Sequence, residues 1–221
     1  MKAWIRQHGL LLALLWCTAL CGALIAIRYA HTGKLTYLWL LVPNLLLAWI
    51  PYLCAAWIGR RYEQTKRLTF GIGAAGAVWL FFFPNCFYNI TDIVHLSHFS
   101  KSVSKVLLYN DISLHALAVI LGWGLGAISL LRLHELIRER YGSLYGHAFA
   151  LVVLALGGVG VYLGRFLRWN SWDLIRDPWK IVRDSLGAIA NGDSFAFIAV
   201  FALVTASLYY LVYHLQPERS R

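Results

Sequence analysis

The sequence is short of charge. Asp, Glu, Lys and Arg make up only 14% of its 221 residues, against about 25% in globular domains. That deficit excludes a chain whose surface mostly faces water. Acidic residues are scarcest, 10 against 20 Lys and Arg, for a net charge of +10. The excess does not indicate nucleic acid, because the basic residues form short clusters between apolar runs, as topology signals do. A basic rim also suits anionic lipid headgroups. Cysteine is sparse. Cys17, Cys21, Cys54 and Cys86 match no zinc or disulfide spacing. Three of them lie in apolar runs and read as small packing residues. The chain has no Gly-x-Ser-x-Gly, no His-Glu-x-x-His and no phosphate loop. No apolar run carries the row of charges that a voltage sensor or proton pump needs.

What is present is hydrophobicity, at 60% of residues, with 15% aromatic. A bilayer core of about 30 Å needs roughly 20 apolar residues per helix. About six such runs account for most of the chain. The expected fold is an all-α polytopic transmembrane helical bundle, one integral membrane domain over 1–221. Its spans fall at about 9–27, 37–59, 69–83, 112–131, 147–164 and 195–214. The first run follows Lys2 and Arg6 as a signal peptide would, but it is long for one and more spans follow, so an uncleaved helix is expected. Span two holds Pro43, Asn44 and Pro51, and prolines inside a span are expected to kink it. Asn44 sits roughly 10 Å deep at 1.5 Å per residue. It serves either an interhelical hydrogen bond or the floor of a polar site. The glycines of spans three to five allow close packing in lipid. Asp177-Pro178 reads as an N-cap and first-turn proline. The helix it opens, about 178–190, sets Trp179, Val182, Leu186 and Ile189 on one face and is expected to lie in the interface. Asn191-Gly192 ends it.

Six spans place both termini on one side. That side holds Lys2, Arg6, Arg60, Arg61, Lys66, Arg67, Arg132, Arg138, Arg140, Arg219 and Arg221, together with every glutamate. Every aspartate falls on the other side. The excess of Lys and Arg predicts cytoplasmic termini.

Three polar segments then open on the extracytoplasmic side. The first is Pro84-Asn85-Cys86-Phe87-Tyr88-Asn89-Ile90-Thr91-Asp92-Ile93-Val94-His95-Leu96, directly after Trp79-Leu80-Phe81-Phe82-Phe83. Polar groups at that depth are costly and are usually paired or functional. As a helix, it places Asn85, Asn89 and Asp92 on one stripe with His95 beside it. Asp92 and His95 are candidates for acid–base work. The alternative is that Asp92 caps or pairs and His95 bonds a backbone carbonyl. Asp92, His95 and His98 fit no established metal motif, so no metal and no cofactor are expected. The second segment is Asp111 and His115, four apart on span four. There an acid tunes an imidazole, or a first-turn acid simply meets the helix dipole. The third contains Arg165, Arg168, Asn170 and Asp173. The arginines either snorkel to headgroups, pair with Asp92, Asp111 or Asp173, or grip an anion with their forks. Asn85, Asn89, Asp111, Arg165, Arg168, Asn170 and Asp173 are therefore the candidate binding residues.

At two of these segments the chain resembles a known family. Phe83-Pro84-Asn85, Tyr88, Thr91-Asp92 and His95-Leu96, with Tyr162-Leu163-Gly164-Arg165-Phe166-Leu167-Arg168-Trp169-Asn170-Ser171-Trp172-Asp173 downstream, are similar to the bacterial family called domain of unknown function 1361. The likeness spans roughly residues 44–173. It implies an integral membrane protein and supplies no activity and no catalytic residues. The family usually has Ala-Pro after Pro-Asn, where this chain has Cys86-Phe87.

The leading expectation is a protein that binds or processes an anionic, lipid-linked group at an extracytoplasmic polar pocket. A small-solute transporter is the second reading, motivated by the prolines of span two. The third is a structural or assembly protein whose Arg–Asp network only fixes the fold. The partners expected are the lipid bilayer and an anionic lipid, with no nucleic acid.

Overall fold

In the computed structural model the described residues are 2–95, 104–169 and 176–216, with backbone alone at 2–8, 38 and 95. They are helical almost throughout, and no strand occurs among them. The helices are α1 (Lys2–Thr32), α2 (Thr36–Thr65), α3 (Phe70–Phe82), α4 (Tyr88–Asp92), α5 (Lys105–Tyr141), α6 (Ser143–Phe166), α7 (Pro178–Ala190) and α8 (Gly192–Leu215). Short 3-10 turns, Phe83–Phe87 and Ile93–His95, flank α4. Six helical stretches are long and apolar enough to cross a membrane: Gly9–Thr32, Trp39–Thr65, Phe70–Asp92, Lys105–Tyr141, Ser143–Phe166 and Gly192–Leu215.

The third stretch carries its own physical logic. The run 69–83 alone reaches only about 22 Å as a helix, short of a bilayer core of about 30 Å. Helical backbone therefore continues through Pro84 to Asp92 and draws the polar motif into the span. Pro84 is accommodated by tightening the chain into a 3-10 turn rather than by breaking it. The α2 helix likewise continues through Pro43 and Pro51 without interruption. Capping follows the side chains. Thr69 accepts from Ile72 N–H at the start of α3, Asp177 from Lys180 N–H with Pro178 behind it, and Asn191 from Ser194 N–H. Asn191 is at once the last cap of α7 and the first of α8.

The chain forms two compact units. The first comprises Met1–Ile50 and Asn85–Gly126. Its helices α4 and α2 pair antiparallel, since Cys86 Sγ reaches Ala48 O at 3.7 Å and Asn44 Nδ2 reaches Asp92 Oδ2 at 2.9 Å. Helix α5 lies on the other side of this segment. A Cβ on Gly122 would stand 2.7 Å from Cys86 O, and one on Gly126 2.8 Å from Cys86 Cβ. Only glycine lets the two backbones approach this closely. Leu41, Leu45, Ala48, Phe87, Ala118, Leu121 and Leu125 complete the buried core of this unit.

The second unit comprises Pro51–Pro84 and Ala127–Arg221. Trp79 anchors it, donating from Nε1 to Ser129 Oγ at 3.1 Å and stacking on Phe149. Gly158 packs on the Ile198 carbonyl of α8, and Gly160 lies against Pro84. A histidine–tyrosine cluster joins α5, α6 and α8, with His134 Nδ1 2.7 Å from Tyr209 OH and His147 Nδ1 3.2 Å from Tyr210 OH. Helix α7 keeps its apolar face uncovered, with Trp179 79% and Leu186 62% exposed. Its polar face holds Trp169, whose Nε1 donates to Asp184 Oδ2 at 2.9 Å beneath the Lys180 ammonium.

Candidate functional site

The polar residues of the first unit gather on facing stripes of α1, α2, α4 and α5. Helical spacing explains this locally. Tyr37 and Asn44 are seven apart on α2, Asn85, Asn89 and Asp92 step along one side of the 3-10/α4 segment, and Asp111 and His115 are four apart on α5. All of Asn85, Asn89, Asp92, Asp111 and His115 are buried. The stripe expected from the sequence therefore exists, and it faces protein rather than lipid.

The strongest contact involves a residue the sequence did not single out. Arg28, near the end of α1, is buried and grips Asp111 with both prongs of its fork, Nε to Oδ1 at 2.7 Å and Nη2 to Oδ2 at 3.1 Å. Bidentate charge-assisted pairs of this kind are among the strong hydrogen bonds of proteins. The arginine that the structure places on Asp111 is thus Arg28, which belongs to the same unit. Arg28 looked like an end-of-helix charge free to reach headgroups. The available signal was the need of Asp111 for a cation within its own unit.

Asp111 also departs from the first-turn role. Ser104 caps α5, accepting from Leu107 N–H at 3.3 Å, so the helix begins at Lys105 and Asp111 sits in its second turn. The His115 Nδ1 lies 3.0 Å from the Asp111 backbone carbonyl. A carbonyl only accepts, so Nδ1 carries a proton, and in the neutral ring the lone pair is at Nε2. Tyr37 fills the space beside both groups. Its ring meets His115 edge-on at 5.3 Å between centroids, with the Arg28 guanidinium carbon 5.6 Å from the same ring.

Deeper along the stripe, Asn44 donates to Asp92 and Asn89 Nδ2 donates to Ala118 O at 3.3 Å. The Asn44 bond joins two helices, the simpler of the two roles its depth suggested. Three buried polar atoms, Arg28 Nη1, Asn89 Oδ1 and His115 Nε2, have no hydrogen-bond partner among the described residues. Leaving such an atom unmatched costs about 1–3 kcal/mol each. Below Asn89 the backbones close, with Cys86 against Gly122 and Gly126, and buried Asn85 is the last residue of the stripe.

The arginines of the third segment belong to the second unit. Arg165 is half-buried in the last turn of α6, and Arg168 is exposed just after it. Arg168 takes a left-handed backbone, φ 57°, which bulky residues seldom adopt. The turn it makes lets Trp169 N–H return to Leu163 O at 3.2 Å. Asn170, Asp173 and the side chain of His95 lie outside the described residues. Among the described residues, no three His, Cys, Asp or Glu side chains meet in a way that could hold a metal ion.

Six membrane-length helices with a buried polar stripe define a polytopic helical membrane protein. The profile of the family described as "Protein of unknown function (DUF1361)" matches residues 43–208, and the chain belongs to that family. The match runs past the two motifs into α8. No curated protein and no solved structure matches the chain.

Proposed function

We propose that the protein sits in the bacterial plasma membrane with both termini cytoplasmic and binds or processes an anionic, lipid-linked group at its extracytoplasmic face. In this reading Asn85, Asn89, Asp111, Arg165, Arg168, Asn170 and Asp173 receive the group, and Asp92 with His95 handles protons. The observation that carries it is the buried polar stripe with its three unmatched atoms. A stripe serving only to join helices has no use for unmatched donors and acceptors in a low-dielectric interior. The left-handed Arg168 supports it as well, since backbone strain of about 1–3 kcal/mol collects at functional positions. Transport is less well supported. Helix α2 is continuous through its prolines, and Cys86 closes against Gly122 and Gly126 partway along the stripe.

Native mass spectrometry of the full-length protein, released gently from membranes, tests the proposal. The expected result is a retained anionic lipid species that disappears in Arg165→Ala/Arg168→Ala protein of native stability. Identical lipid complements in the two proteins would overturn it.

One observation favours a second reading, in which the network only holds the fold. The Arg28–Asp111 fork is a complete ion pair in its own right. If the charge-swapped Arg28→Asp/Asp111→Arg protein restores every property lost in the single variants, including lipid retention, the structural reading stands.

A further inference from the structure

Arg28, Tyr37 and His115 lie outside the residues assigned above, and their geometry specifies a ligand more closely. In its neutral form His115 offers a lone pair at Nε2, its tautomer fixed by the Nδ1–H bond to the Asp111 carbonyl at 3.0 Å. Arg28 offers the N–H donors of Nη1, while Nε and Nη2 each donate to Asp111. Both atoms are buried, and neither has a partner among the described residues. The two side chains flank one surface, the Tyr37 ring, and are tied to one residue, Asp111, through its carboxylate and its carbonyl. The charge here is already balanced, since the Arg28 cation faces the Asp111 anion. A singly protonated oxyacid adds one negative charge to this pair, half of what a bare dianion would add at depth in an apolar protein. The complement of a lone pair beside an N–H is a group with a hydroxyl and a neighbouring acceptor oxygen on the same centre.

We propose that Arg28, Tyr37 and His115 form a subsite for a protonated oxyacid, of which a phosphate monoester in its singly protonated form is the type. This rests on the anionic-group reading above and assigns it a chemistry. The acid hydroxyl donates to His115 Nε2, and an adjacent phosphoryl oxygen accepts from Arg28 Nη1. When the proton transfers, the O–H bond breaks, an N–H forms at Nε2, and the electron pair stays on the oxygen, now facing Arg28. No redox partner is needed. The same oxyacid chemistry could arrive on a lipid or as free phosphate, and Tyr37 supplies an aromatic wall for either.

The test is ¹⁵N-histidine NMR of the full-length protein in zwitterionic nanodiscs, with His115 assigned by His115→Gln. Without ligand, the expected spectrum shows His115 protonated at Nδ1 only. Adding inorganic phosphate or dioctanoyl phosphatidic acid should move its Nε2 resonance toward the protonated range, while dioctanoyl phosphatidylcholine should not. Movement with both probes supports a subsite open to free oxyacids, and movement with phosphatidic acid alone supports one reached from the lipid. The movement should vanish in Arg28→Met/Asp111→Leu protein, which removes the donor while keeping the charge balanced. An Nε2-protonated His115 at neutral pH would overturn the proposal. So would a resonance unmoved by either probe at saturation, or movement that persists in the folded double variant. Lipid retention through Arg165 and Arg168 is scored separately, so that reading can survive the loss of this one.

Discussion

Single side chains decide most of the chemistry in this protein. Asp111 is 1% exposed, and its pairing with Arg28 comes from across its unit, 83 residues away in sequence. Removing one partner of a buried pair costs about 3–5 kcal/mol, whereas replacing both by apolar residues is often neutral. Arg28→Met is therefore expected to destabilise by that amount, and Arg28→Met/Asp111→Leu to recover most of it, measured by thermal unfolding in detergent micelles. Arg168 gives a contrasting case. A left-handed backbone costs a non-glycine residue about 1–2 kcal/mol, so Arg168→Gly should raise stability by about 1 kcal/mol while weakening retention of the anionic lipid. A loss of stability instead would mean that its side chain holds the fold. The sequence made Asp92, Asn89 and Asp111 visible because carboxylates and amides are rare in apolar runs. Arg28 stayed hidden because an arginine near a helix end has an ordinary explanation in lipid. Only the tertiary fold shows that it turns inward.

Helices carry the next level, and here the sequence was most informative. The α7 boundaries followed from Asp177, whose side chain caps the first turn ahead of Pro178, and from Asn191, where the helix stops and whose side chain caps α8 instead. Apolar length alone gave the membrane-crossing stretches. It missed the reach of α5, a helix of 37 residues, because its outer turns are polar and start from the Ser104 cap rather than from a hydropathy change. It also set the motif at the end of span three, where length shows that Asn85 to Asp92 must be part of the crossing. The close approach of α4 and α5 rests on Gly122 and Gly126. Alanine at either position meets Cys86 backbone or side chain, and overpacking of this kind typically costs about 1–3 kcal/mol. Gly124, with nothing within 4 Å of its would-be Cβ, is the internal control. Gly124→Ala should be neutral or stabilising by up to about 1 kcal/mol. Equal effects at all three sites, measured by the same unfolding assay, would contradict the packing described.

At the level of the whole chain, the proposed topology of six crossings puts the two ends on the same side of the bilayer. Green fluorescent protein fused after Arg221 should fluoresce, as should an N-terminal fusion, and alkaline phosphatase inserted between α4 and α5 should be active. A dark C-terminal fusion with an active phosphatase there would remove the cytoplasmic assignment. The turn between α5 and α6 bears on how such a molecule can be handled. Tyr141 ends one helix and Ser143 begins the next, with only Gly142 between them, at φ 101°. A backbone angle of that sign is open to glycine and strained for other residues. Two long helices thus reverse on a single residue, leaving no slack for a protease to draw into its cleft and no loop to receive an epitope tag. Limited digestion from that side should leave the α5–α6 hairpin as one intact fragment.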